Sequence, residues 1–123
     1  MNPGERVGLK LAAGANVLLS AVLGGRAKSI LEHPSVEAVL TAEATFDEVR
    51  EYAAHLATRK RLPLDLVMLT MAALPVEIIG RVDILALALH FRIPVWSNDR
   101  DFEDSGVEWY TTATLLKKLA IIE

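Results

Sequence analysis

The chain contains no cysteine, which rules out disulfides and thiolate metal sites and leaves oxygen and imidazole as the available metal ligands. Bulk positive charge is missing too. With 13 Lys and Arg against 16 Asp and Glu, the formal net charge is -3, so no broad basic field holds duplex nucleic acid by counterion release, and any RNA contact must be local. No apolar stretch reaches the ~18 residues of a membrane span. The apolar run at residues 11–25 follows Glu5 and is interrupted by Asn16 and Ser20, which argues against a secretory leader. The expectation is an intracellular, cytoplasmic protein with no membrane partner.

Further absences narrow the chemistry. His33 precedes Pro34, His55 falls mid-helix and His90 sits on an apolar helix, so no histidine pair has metal-ligand spacing. Ser20, Ser29, Ser35, Ser97 and Ser105 all lack the GxSxG setting of a serine hydrolase. The stretch GGRAKS at residues 24–29 has no glycine directly before Lys28, so it is not a phosphate loop. Repeats, low-complexity tracts and linkers are lacking. A 52% hydrophobic content over 123 residues is enough to fill one core, so residues 1–123 are read as a single domain.

What is there is an alternation of strand and helix patterns. Strands are expected at residues 7–13, 37–41, 76–79, 94–97 and 107–110, the last at a sheet edge. Helices are expected from Asn16, from Arg26 to the His33–Pro34 boundary, and after Thr41, which can cap the helix carrying Phe46, Val49, Ala53 and Leu56. That helix closes at Arg59, Lys60 and Arg61, three cations at its negative end. Further helices are expected from Asp65 to Ala73, from Asp83 to Phe91 and from Thr112 to Ala120. The segment at residues 83–91 is apolar on nearly every side and is read as buried against the sheet. The fold class is therefore α/β, with a central parallel sheet of about four to five strands and helices on both faces.

Right-handed crossovers bring the carboxyl end of each strand to one edge, where such sheets bind ligands. That edge collects Gly14 and Asn16, Glu43 or Glu48, Asp83, and then Asp99 and Asp101. Hard cations such as Mg²⁺ or Mn²⁺ take oxygen ligands, and carboxylates meeting in a cleft could hold one and activate a water for phosphodiester hydrolysis. Each residue also has a plainer role. Asp83 can favour a helix N-terminus, Asp99 and Asp101 can shape a turn, Glu48 can be a solvated helix residue and Asn16 can cap a helix.

Two segments, ANVLLSA at residues 15–21 and LALAL followed by SNDRDF, resemble the PIN-domain family and, within it, the VapC-type toxins of toxin–antitoxin pairs. The resemblance implies a three-layer PIN-like fold and a metal-dependent, single-strand-specific ribonuclease using Mg²⁺ or Mn²⁺. It implies Glu48, Asp83 and Asp99 as catalytic acids that bind the metal, with Asp101 beside them as a fourth metal ligand. Asn16, Ser20 and Asn98 are implied as substrate contacts. An antitoxin protein over the acidic edge and a homo-oligomer are the implied protein partners. Departures from the pattern accompany the match. Gly14 stands where the family has its first aspartate. Aligned back from SNDRDF, Arg81 falls at another acidic position with Asp83 two residues later, and the link between residues 79 and 83 is short. The alternative expectation is a catalytically silent PIN-like domain that binds a partner protein or oligomerises, with Trp109 and Tyr110 on the edge strand as thin support.

Overall fold

In the first strand, β1 (Leu9–Ala13), the side chains of Leu11, Ala12 and Ala13 are all fully buried. Successive strand residues point to opposite faces, so burial of all three requires packing on both sides of the sheet. A computed structural model describes residues 8–80 and 82–120 of the chain. After β1 come α1 (Ala15–Val22), α2 (Ala27–Leu31), β2 (Val36–Ala42), α3 (Glu43–Arg59) and α4 (Leu64–Ala72). They are followed by β3 (Glu77–Ile79), α5 (Ile84–Phe91), β4 (Val95–Trp96), a 3-10 turn (Arg100–Phe102), β5 (Trp109–Tyr110) and α6 (Thr112–Lys118). The five strands form one sheet in the order β3-β2-β1-β4-β5, every pairing parallel.

Strand alternation sorts the core into two layers. Leu11, Ala13, Val39 and Trp96 face α1, α2, α3, α4 and α6, while Ala12, Leu40, Ala42 and Val95 face α5 through Ile84, Leu87 and Ala88. The α/β class, the parallel sheet and helices on both faces are thus as expected, with five strands. Short elements keep their expected places with trimmed ends: the closing helix stops at Lys118, and Ala120 has a left-handed φ of 57°. Val7, expected at the start of the first strand, lies outside the described residues.

One expectation needs correction. Thr41 does not cap the third helix. It is fully buried inside β2, and its hydroxyl donates to the Ala13 carbonyl at 2.9 Å, while Ala42 occupies the cap position without a side-chain bond. The strand outruns the capping signal because each added β2 residue gains a ladder partner in β3, Thr41 opposite Ile78 and Ala42 opposite Ile79. As expected, α5 packs against the sheet, through Ile84, Leu87 and Ala88. Its far side is open, with Leu89 and Phe91 58% and 44% exposed, because among the described residues it is the one helix over this face of the sheet.

The edge strand β5 is held inward. Trp109 donates its indole N–H to the Ser97 carbonyl at 2.8 Å, and Tyr110 packs against the larger core layer. Tyr110 also donates its hydroxyl to a Glu108 carboxylate oxygen at 2.6 Å. That hydrogen bond, then burial, then the negative charge of Glu108 push the phenol from 10.0 up to about 12.

Two outcomes follow. Thr41→Val leaves shape intact but orphans a buried carbonyl, so urea unfolding should show a loss of about 1 kcal/mol with an unchanged denaturant slope. The raised phenol stabilises the fold fully below its unfolded value near 10, and this contribution disappears as pH climbs through about 12. In a Tyr52→Phe background the phenolate absorbance should therefore rise near pH 12, and Glu108→Gln should bring the midpoint back toward 10.

Candidate functional site

The strand order reverses its direction of growth at β1. From there the chain builds outward through α1 and α2 to β2, and then through α3 and α4 to β3. It next crosses back through α5 on the opposite face to place β4 on the other side of β1. Diverging connections leave a crevice outside the carboxyl ends of β1 and β4, the position where open parallel sheets bind ligands. Gly14 and the segment Ser97–Asn98–Asp99 form its floor.

Gly14 is buried and extended, with φ -84° and ψ 174°, and its N–H donates to the Trp96 carbonyl at 2.9 Å. A Cβ placed on it would lie 3.3 Å from both Cβ and Oγ of Ser97. The backbone suits any residue, so the glycine is a matter of space, and a longer side chain asks Ser97 to give by a few tenths of an ångström. Ser97 is itself 2% exposed and well tied, donating its N–H to the Tyr110 carbonyl at 3.0 Å and accepting the Asp99 N–H on Oγ at 3.1 Å.

The two asparagines complete this floor. Asn98 donates its backbone N–H to Asn16 Oδ1 at 3.1 Å and accepts the Thr112 N–H on its own Oδ1 at 2.9 Å. Trp96 donates its indole N–H to Thr112 Oγ1 at 3.1 Å. Side chains from α1, the loop after β4 and the start of α6 are thereby joined across more than eighty residues of sequence. Asn16 and Asn98 were singled out in the sequence as ligand contacts, and both are present at the edge. Thr112 was not, since nothing in TTAT distinguishes it from the Thr111 and Thr114 pair that forms the capping box of α6.

The acids are distributed more widely. Asp83 caps α5, its Oδ1 accepting the Ala86 N–H at 2.7 Å. Asp99 caps the 3-10 turn, its Oδ1 accepting the Asp101 N–H at 2.9 Å, and Asp101 is exposed within that turn. Arg81 lies outside the described residues. Ser20 sits on α1 toward the Gly24–Gly25 turn, with its carbonyl accepting the Gly25 N–H at 2.7 Å and its hydroxyl pressed against Gly25. Glu48 is exposed on α3 and takes part in none of the hydrogen bonds or ion pairs found among the described residues. It lines a cavity of about 200 Å³ between α1 and α3, together with Ala15, Asn16, Leu19, Val49 and Tyr52.

A divalent cation at this edge would look to Glu48 and to the second oxygens of Asp83 and Asp99, with Gly14 giving nothing. Among the described residues no three Asp, Glu or His side chains come together as a cation site. Among the described residues no helix is long and apolar enough to cross a membrane. A scan against protein-family models finds none that matches the chain, and a search of curated proteins finds no match either.

The role of Asp83 as a cap can be measured. Asp83→Ala should cost about 1 kcal/mol in urea unfolding and Asp83→Asn much less, because only the asparagine keeps an oxygen for the Ala86 N–H.

Proposed function

We propose that this chain is a PIN-like domain, related to VapC-type ribonuclease toxins, that holds single-stranded RNA at the carboxyl edge of its sheet without a complete site for a catalytic cation. The observation that carries this reading is Gly14, which closes the central strand at the crevice where the resemblance calls for an aspartate. Each carboxylate at such a site offsets part of the cost of dehydrating the ion, so losing the central one weakens cation binding and hydrolysis together. The edge keeps the groups that fix its shape: Asn16, Ser97 and Asn98 tie α1, β4 and α6 into one rigid floor. RNA contact in an acidic chain is then confined to bases and hydroxyls rather than a basic track for phosphates.

A protein partner is the second reading, favoured by α4. Its inward side buries Val67 and Met71, whereas Leu66 and Leu69 on the outward side are 58% and 67% exposed. A helix apolar on opposite sides is suited to a covering chain, such as the antitoxin or second copy that the resemblance implies.

Cleavage of labelled single-stranded RNA with Mn²⁺ or Mg²⁺ tests the first reading. The chain itself should bind RNA but cut it at the background rate, and Asp99→Asn should change nothing. Gly14→Asp should raise metal-dependent cleavage by at least about tenfold, the lower range for restoring a group that orders a metal site. Strong cleavage by the unaltered chain that is lost in Asp99→Asn would overturn the proposal in favour of a working nuclease.

A further inference from the structure

The turn that joins α3 to α4 is exposed throughout. Residues 58–66 are open to solvent without a break, and they carry Arg59, Lys60 and Arg61 in a row, followed by Leu62, Leu64 and Leu66. Leu69, one turn further along α4, is the most exposed large apolar side chain among the described residues. The ion pairs found among those residues join Lys28 to Glu32, Arg50 to Asp47 and Arg100 to Glu103, so none of the three cations of the turn is in one. Backbone groups alone close the end of α3. Leu62 donates its N–H to the Ala57 carbonyl at 2.8 Å and Arg61 to the Thr58 carbonyl at 3.4 Å, with Arg61 at a left-handed φ of 55°. The negative end of α3 favours cations, but it gives no reason for the leucines beside them to stay in water.

We propose that this turn and the outer side of α4 form a docking surface for an acidic, amphipathic segment of another protein. Leu62, Leu66 and Leu69 follow the four- and three-residue spacing of one helix side, the pattern on which a partner's apolar stripe is laid. Carboxylates at one end of that stripe then meet Arg59, Lys60 and Arg61. Cations and leucines together choose the occupant. RNA supplies anions for the cations yet leaves the leucines uncovered. An anionic lipid surface covers both, but Asp65 stands among the leucines on the first turn of α4 and the chain's net charge is -3, and each opposes such a surface. A second copy paired through the same surface covers the leucines but brings one carboxylate, Asp65, against three cations. The choice of a protein rests on the partner reading of α4 above, while the choice of an acidic one rests on the unpaired cations. The surface is also remote from the crevice: α3 starts at the carboxyl edge with Glu43, and its 17 residues carry the chain about 25 Å away.

The test is fluorescence anisotropy of a labelled helical peptide, with a leucine stripe and a run of glutamates at one end, titrated with the intact chain. A twin peptide with lysines in place of the glutamates is the control, and single-stranded RNA and phosphatidylserine vesicles are the competitors. The glutamate peptide should bind at least about tenfold more tightly than its twin, and this margin should shrink as salt rises. Arg59→Glu combined with Lys60→Glu should reverse the preference, and Leu66→Ser combined with Leu69→Ser should abolish binding of both peptides. Glycine fits the left-handed position better than arginine, so Arg61→Gly should raise the urea midpoint while weakening the glutamate peptide, a pair of effects that misfolding cannot imitate. Equal binding of the two peptides would overturn the acidic partner and leave the partner reading of α4 standing. If neither peptide binds, the proposal fails; sedimentation then assigns α4 to a second copy where the chain is a dimer that Leu69→Ser breaks, and a monomer removes the partner reading as well. Displacement of the glutamate peptide by RNA or by vesicles would overturn the proposal in favour of that ligand.

Discussion

The structure depends on β1 having parallel neighbours on both sides. Parallel strands cannot be joined by hairpins, so each partner of β1 must be reached by a crossover, and the two crossovers here lie on opposite faces of the sheet. From that constraint follow the burial of Leu11, Ala12 and Ala13 and the division of the core into two layers. The crevice at the carboxyl ends of β1 and β4 has the same origin. The connections leave that point in opposite directions, and nothing in the sheet itself fills the space between them.

The floor of the crevice is built from hydrogen bonds that cross sequence distance. Asn16, Ser97 and Asn98 each spend an oxygen on a backbone N–H, and the two tryptophan N–H groups anchor the same loop at the Thr112 hydroxyl and the Ser97 carbonyl. These bonds explain why short strands suffice here. β4 and β5 contribute two residues each, and the side-chain ties hold the segment between them where ladder pairing alone would be thin. Two aromatic residues that looked available to a partner on an edge strand are thereby committed internally. Trp109 is fixed by its N–H, and Tyr110 is packed on the larger core with its hydroxyl on Glu108.

Much of this was legible in the sequence because periodicity and breakers are local. The alternation of strand and helix patterns, the prolines and the glycine pair place every element within a few residues, and the parallel class follows from their order. The errors arise where a distant partner outweighs a local preference. Thr41 carries a helix-capping signal, but the carbonyl of Ala13 takes its hydroxyl, and the ladder with β3 keeps it in the strand. The run LALAL says only that a helix is apolar. How much of it is covered depends on how many helices share that face, and among the described residues there is one. Site residues divide in the same way: the asparagines could be expected at the edge from strand order, whereas the bonds they make, and the role of Thr112, depend on a register that only the folded sheet supplies.

The distribution of polar groups decides what the edge can do. Hydrolysis of a phosphodiester by a bound cation needs several carboxylates aimed at one point, and here Asp83 and Asp99 each turn an oxygen toward the backbone of their own turn while Gly14 contributes no side chain. Recognition has a lower requirement. It needs a rigid surface and a few groups left unspent, and a single unpaired carboxylate is then an asset because its desolvation is recovered only by a ligand with matching donors. Glu48 is exposed on α3, where it lines the cavity beside Asn16, whose Oδ1 already accepts the Asn98 N–H.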